Sequence, residues 1–313
     1  MSDKTLEDKT LGYTKNDFRS GFVAMIGRPN AGKSTLVNAI VGHKIAITSD
    51  TAQTTRHRFN AVLTRDNFQI VMVDTPGLHK PHDVLGEELN ESAIKGLEGI
   101  DCAAFLLDCS KPFGRGDEWV VRQVQAAHAK KILVLTKTDL VDDATVEKQR
   151  QAAFEKGKWD GVVALSALTG ENIEGFIQTV VDMIPEGPMW FPADMDTDQP
   201  IEVIVAEFVR EKILRSCFDE VPHAVGVVVE EMEYDKKKDL ERIFATVYVE
   251  HESQKGIIIG KRGTKLKEIG MQARKDLEQF LGARIYLDLH VKVRKNWRRD
   301  LNQIRRFGYG EGI

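Results

Sequence analysis

Between about residues 20 and 185, short apolar runs alternate with longer stretches of helical period. The apolar runs fall at 22–27, 68–75, 102–109, 131–137 and 161–167. They are nearly continuous rather than alternating, which predicts strands buried on both faces. Segments at 33–42, 117–128 and 172–183 have helical length. This alternation predicts an α/β domain over 20–185, a mostly parallel sheet with helices on both faces. Four prolines then fall between 185 and 200, fixing the backbone and removing donors, so 186–200 reads as a stiff linker. Beyond it the pattern changes. A helical apolar stripe at 201–217 precedes two long strand-like runs, 224–234 and 242–252, joined by the turn D-K-K-K-D. A helix at 264–281 and a strand at 283–293 follow. The expectation is a second, α+β domain over 201–291, closed by a basic tail over 292–313. The first 19 residues are polar and read as a disordered lead.

A length of 313 residues suits two such domains. The hydrophobic fraction of 42% and charged fraction of 29% are those of a soluble globular protein. No stretch reaches the roughly 20 apolar residues of a membrane span, and the N-terminus is too polar for a secretory signal. Cys102, Cys109 and Cys217 are few and contain no C-x-x-C, against a disulfide or zinc framework and in keeping with a reducing cytosol. Cys102 and Cys109 read as small strand residues. Charge does change the picture. Residues 255–307 hold 15 Lys and Arg against 5 Asp and Glu, a net of +10 within a chain of net −4, so the remainder carries −14. The last part is expected to meet an anion.

Candidate chemistry begins at G-R-P-N-A-G-K-S, residues 27–34, between a strand and a helix. This is the phosphate-cradling pattern of Gly27, Arg28, Pro29, Asn30, Ala31, Gly32, Lys33 and Ser34. Glycines let successive N–H groups turn into one concavity. Lys33 would reach the β- and γ-phosphates, and the Ser34 hydroxyl would hold Mg²⁺. Three further loops follow strand ends, where ligands of such sheets bind. Asp74-Thr75-Pro76-Gly77 offers a carboxylate for Mg²⁺ through water and a Gly77 N–H for the γ-phosphate. Thr136-Lys137-Thr138-Asp139 offers a carboxylate that accepts from guanine N1–H and N2–H₂, donors that adenine lacks. Ser166-Ala167-Leu168 offers a backbone N–H for guanine O6.

Together these resemble the GTPase motif set, in order, over 20–185. The resemblance implies that Gln53-Thr54-Thr55-Arg56 is the first switch loop, one of its threonines completing the Mg²⁺ shell, with Thr55 favoured. Lys33, Gly77, Thr55 and Asn30 are the residues it implies for catalysis. Two positions depart from it. Thr136 stands where the guanine motif usually begins with Asn, which weakens the expected link from base to phosphate loop. Leu78 stands where many GTPases carry a water-orienting glutamine, so intrinsic hydrolysis is expected to be slow. Relatives with an apolar residue there associate Asn30 with potassium.

A second glycine loop, Gly260-Lys261-Arg262-Gly263, lacks the Lys-Ser ending and lies between an apolar turn and a longer helix. It resembles the KH domain, whose loop clamps about four single-stranded nucleotides. The order helix, hairpin, loop, helix, strand is that of a type II KH domain. Lys261, Arg262, Lys265, Lys267 and Arg274 supply charge, so binding should fall with salt. Ile257, Ile258 and Ile259 are expected mostly in the core, one edge flooring a groove. Arg294, Lys295, Arg298 and Arg299 of the tail are further RNA candidates. Trp297 either packs in the core or stacks on a base, packing being favoured. His79 and His82 lack a third ligand for a metal.

The combination is similar to the Era family of bacterial ribosome-assembly GTPases from about residue 20 to the end. That resemblance implies GTP and GDP as ligands, Mg²⁺ as cofactor, and binding near the 3′ end of 16S ribosomal RNA during 30S subunit assembly. It also implies a cytoplasmic protein with peripheral attachment to the inner membrane. Nothing in the sequence requires an oligomer. GTP is expected to order 48–58 and 75–90 and so to reposition the RNA domain. The competing readings are an RNA-binding factor with a structural nucleotide site, an ATP-using enzyme, and a membrane GTPase that does not act on RNA.

Overall fold

The computed structural model describes residues 18–49, 51, 54–81 and 83–309. Residues 1–17 of the expected lead, Gln53, His82 and residues 310–313 lie outside them.

The first domain is a six-stranded sheet of order β2-β3-β1-β4-β5-β6. Its strands are β1 (Arg19–Gly27), β2 (Phe59–Arg65), β3 (Phe68–Asp74), β4 (Cys102–Asp108), β5 (Lys130–Thr136) and β6 (Gly161–Ala164). All neighbours pair in parallel except β2 with β3. Every residue of β3 and β4 is buried, as continuous apolar runs require. The helices are α1 (Lys33–Val41), α2 (Val84–Lys95), α3 (Arg115–Ala126), α4 (Asp143–Phe154) and α5 (Ile173–Met183). They leave one apolar cluster on each face of the sheet.

Two details differ from the sequence expectation. The β2 strand has no continuous apolar run, because it is an edge strand with its last residues open to solvent. The β6 strand stops at Ala164, and the residues after it turn away as a loop. The proline-rich linker is also more than a spacer. It is strapped along the open edge of β2, where the Val62 N–H donates to the Asp196 carbonyl at 2.9 Å and Asn60 donates to the Asp198 carboxylate. The buried Gln69 side chain accepts from Trp190 and Phe191 and donates to the Phe191 carbonyl. A covered edge has no free ladder for another chain to join.

The second domain runs α6 (Ile201–Ser216), α7 (Val221–Ala224), β7 (Gly226–Asp235), β8 (Leu240–Val249), α8 (Glu252–Ile259), α9 (Thr264–Leu281) and β9 (Ile285–Val293). β7 and β8 form the expected hairpin, and β9 joins β8 in parallel. The expected apolar stripe on α6 is too narrow a description. From Val203 to Leu214 every residue is buried, including Glu207, Arg210, Glu211 and Lys212. The helix lies between its own sheet and the first domain, so no face remains for water.

The tail is likewise structural in part. After Trp297 it forms α10 (Leu301–Arg306). Trp297, Ile304, Phe307 and Tyr309 pack with Leu85 and Leu89 of α2, making a cluster shared by both domains. The Trp297 indole N–H donates to the Ala224 carbonyl at 2.9 Å, so this ring packs rather than stacks on a base.

Candidate nucleotide site and RNA-binding face

The phosphate loop follows β1 and ends where α1 begins at Lys33, so the helix N-terminus faces the same cleft. Asp74 closes β3, Thr136 closes β5 and Ser166 follows β6, all at the carboxyl edge of the sheet. They meet around a cleft of about 560 Å³. Its walls include Pro29, Asn30, Gly32, Lys33, Ser34, Thr55, Gly77, Thr136, Lys137, Asp139, Ser166, Ala167 and Leu168. Gly77 is pressed onto the loop: a Cβ there would lie 2.7 Å from the Pro29 nitrogen. The Leu78 N–H donates to the Gly27 carbonyl, which ties the two loops together.

Lys33 is buried, its ammonium donating to the carbonyls of Gly27 and Arg28 at 3.4 and 3.1 Å. Burial lowers its pKa to about 8, opposed by the charge of Asp74. Asp74 is fully buried, and burial raises its pKa to about 6 against the pull of Lys33. One Asp74 oxygen accepts from the Ser34 hydroxyl at 2.8 Å, and the other has no partner. The Thr55 hydroxyl lies 2.8 Å from the Ser34 hydroxyl on its other side. Three hard oxygens converge beside an orphaned buried carboxylate oxygen, a donor set that fits Mg²⁺. Thr54 does not reach this point; its hydroxyl is engaged with Ser49 and the Thr51 carbonyl.

At the other end of the cleft, the Ser166 hydroxyl donates to Asp139 at 2.6 Å and fixes the carboxylate. The sequence pattern predicts only a backbone N–H from this stretch, so the side-chain bond is new. Thr136 keeps the link that its substitution for Asn put in question, since its hydroxyl donates to the Ala31 carbonyl at 2.9 Å. Lys137 pairs with Asp108 at 2.7 Å.

Other expected residues stand outside the cleft walls. Leu78 is 1% exposed and packs into the core beneath the sheet, because an apolar side chain gains nothing beside phosphate. Arg28 turns away to pair with Asp117. Thr75 holds the Met25 carbonyl, and Ala31 is buried. Thr138 opens a single 3-10 turn facing Glu171. Pro76 is buried, Gly27 is the last residue of β1, and Asp74 acts from one layer behind Ser34.

The second domain also walls this cleft, which no local motif predicts. Arg215 of α6 lines it, together with Ile47, Thr48 and Ser49. Its guanidinium donates to the Thr48 carbonyl and hydroxyl at 3.1 Å each. Arg56 of the first switch loop, 1% exposed, inserts into the second domain and donates to the carbonyls of Val225 and His223 at 2.6 and 3.1 Å. Lys44 bridges Glu211 of α6 and Asp276 of α9 at 2.5 and 2.8 Å.

The second glycine loop joins α8 to α9. Gly260 adopts φ 70, ψ 179, a conformation open essentially to glycine alone, and a Cβ there would meet that of Lys265 at 2.7 Å. Lys261 and Arg262 are exposed, as are Lys267 and Arg274; Gly263 and Lys265 are half-buried. Beside the loop a groove of about 360 Å³ is lined by Gly263, Leu266, Lys267, Gly270, Met271, Arg274 and Tyr286, among others. Ile258 is buried and Ile257 exposed, so the isoleucine run divides between core and surface. In the tail, Arg294, Lys295 and Arg299 are exposed. Arg298 is not free for RNA: it pairs with Glu250 at 2.8 Å and with Asp83 of the first domain at 3.2 Å.

The sheet order and the glycine-rich loop ahead of α1 define a P-loop GTPase domain, here joined to a KH domain. A family model described as a 50S ribosome-binding GTPase matches residues 22–137, and one described as a KH domain matches 220–298. The chain is 37% identical to Aquifex aeolicus Era, solved as a single-substitution variant bound to GDP and AlF4−, with 94% of this chain and 100% of that one covered and a TM-score of 0.90. A structure of Era in complex with MgGDPNP and nucleotides 1506–1542 of 16S ribosomal RNA is also 37% identical, with 94% and 99% covered and a TM-score of 0.91. The chain belongs to the Era family of GTPases.

Proposed function

We propose that this protein hydrolyses GTP to GDP and phosphate, binds small-subunit ribosomal RNA near its 3′ end through the KH domain, and assists 30S assembly. The observation that carries the reading is the presence of both grips in one fold that aligns along its length with an RNA-bound and nucleotide-bound Era. Lys33 and the phosphate-loop amides hold the β- and γ-phosphates. Ser34 and Thr55, with Asp74 behind them, hold Mg²⁺, which draws charge from the phosphate oxygens. Asp139, fixed by Ser166, selects guanine. Asn30, at the mouth of the loop, is the residue proposed to hold potassium beside the phosphates. Lys261 and Arg262 meet the RNA backbone, with Lys265, Lys267 and Arg274 along the groove and Arg294, Lys295 and Arg299 adding charge.

A cytoplasmic location fits this ligand set. A peripheral membrane contact would have to rest on tail charge and Leu301, since Ile304 and Phe307 are spent on the shared cluster. Among the described residues no helix is long and apolar enough to cross a membrane.

The test is GTP turnover with and without a 3′-terminal fragment of 16S RNA, at two salt concentrations, with ATP as competitor. Turnover of GTP that ATP does not inhibit, together with salt-sensitive RNA binding, is expected. Tight GTP binding with no turnover in either condition would favour a structural nucleotide site.

A further inference from the structure

Thr55 is held from both sides by the second domain. The carbonyl of the preceding residue, Thr54, accepts from Arg210 of α6. The following residue, Arg56, is buried among the carbonyls of Val225, His223 and Pro222. Upstream in the same loop, the Thr48 N–H donates to Glu211 at 3.0 Å, and Arg215 holds the Thr48 carbonyl while lining the nucleotide cleft. Arg210 is itself oriented by two bonds to Glu207, from Nε at 2.7 Å and Nη2 at 2.5 Å.

We propose that α6 of the KH domain is part of the nucleotide switch, with Arg210 and Arg215 as positioning residues that set Thr55 at the metal. The inference rests on the reading of Thr55 as a magnesium ligand. Its physical content is differential. GDP would be gripped by the phosphate loop, Asp139 and Ser166, all of which belong to the first domain. The triphosphate with Mg²⁺ also needs the Thr55 hydroxyl, which stands 2.8 Å from Ser34 while its neighbours are tied to the second domain, Thr54 to α6 and Arg56 to the carbonyls of α7 and Val225. Loss of the α6 contacts therefore weakens GTP·Mg²⁺ and spares GDP. By linkage, GTP·Mg²⁺ strengthens the docking of the KH domain by the same factor. RNA that pulls on the KH domain would be felt at the metal without touching the nucleotide.

The experiment uses the full chain and two variants. Arg210→Lys keeps a cation beside the buried Glu207 and removes the branched reach to the Thr54 carbonyl. Arg215→Ala removes a half-exposed side chain, so its fold is not at risk. Affinities for GDPNP with Mg²⁺ and for GDP with excess chelator are measured by titration, with the half-saturating Mg²⁺ for GDPNP. Loss of a charge-assisted bond predicts that GDPNP·Mg²⁺ binding weakens about tenfold and needs more Mg²⁺, while GDP stays within about twofold of the parent in Arg210→Lys and loses no more than about threefold in Arg215→Ala, whose side chain is part of the cleft wall. An equal loss for both nucleotides, or no loss in either variant, overturns the proposal. Should Arg210→Lys fail to fold, Arg215→Ala decides alone by the same ratio. A parent protein that does not prefer GTP to ATP would overturn the GTPase reading instead, before any variant is compared.

Discussion

The two glycine loops use the same residue types to opposite ends. In the loop at 27–34 the cation is buried, the carboxylate behind it is buried, and their pKa values are pushed toward each other, to about 8 and about 6. In the loop at 260–263 both cations stand in solvent. A buried charge is costly unless something pairs with it, so the first loop is built for one ligand of fixed shape and charge. An exposed cation costs nothing to keep and gains only a screened attraction to phosphate. The first loop can therefore do chemistry on a small anion. The second suits a polymer that must be gripped and released.

Breaking the buried side should give the largest effect. Lys33→Ala removes a preorganised cation from a water-poor site, and GTP turnover is expected to fall by about 10²–10³. RNA binding by nucleotide-free protein should hold steady in the same variant, as measured by filter binding. A second change tests whether the cleft is closed to what stands beneath it. Leu78→Gln would be the natural attempt to restore a water-orienting amide. The Leu78 side chain lies in the core, however, so a glutamine there buries an unpaired amide and should cost about 3 kcal/mol of stability with no gain in turnover. A denaturant midpoint and a turnover assay on this variant would check both halves; faster hydrolysis would show that the position can swing outward.

The exposed loop should respond more mildly and in a different manner. Replacing Lys261 and Arg262 by alanine is expected to weaken RNA binding about tenfold at moderate salt and to flatten the dependence of log K on log salt by about 1.4, as for two single-strand phosphate contacts. Intrinsic GTP turnover should be unchanged. A salt slope identical to that of the parent protein would remove these two residues from the interface.

Both loops were legible because each is local. A strand, a glycine turn and a helix start lie within about ten residues of each other, and the residue types needed there are few. The four strand-end loops of the cleft were found for the same reason. What joins the two sites was not legible. Arg56 reads as one more polar residue in Q-T-T-R, yet it is buried against carbonyls 166 to 169 positions further on. The tail reads as a basic RNA-binding arm, yet its apolar residues clamp α2 and its Arg298 pairs across the domains. One signal was present. Residues 207, 210, 211 and 212 place opposite charges in the middle of an otherwise apolar helix. Such a helix has no solvent face to put them on, so it must bury them against a partner that pairs with them.

That bridge between the loops offers the smallest and most conditional effect. Glu211 and Asp276 share Lys44 and Lys212. Burial alone would raise both carboxyl pKa values, but the two lysines outweigh it and hold both below the usual carboxylate range. A depressed carboxylate stabilises the folded state above its unfolded pKa and loses that contribution as pH falls through the folded value. The bridge is thus intact at neutral pH and fails in acid, from about pH 4 downward. Partial exposure of Lys44 and Asp276 limits its worth to about 1 kcal/mol. Urea midpoints measured from pH 7 to pH 3 should fall less steeply in Lys44→Met than in the parent, with the variant already lower at pH 7. Parallel curves would mean that Lys44 does not couple the nucleotide domain to α9, and would leave the first switch loop and the tail clamp on α2 as the ties between the two domains.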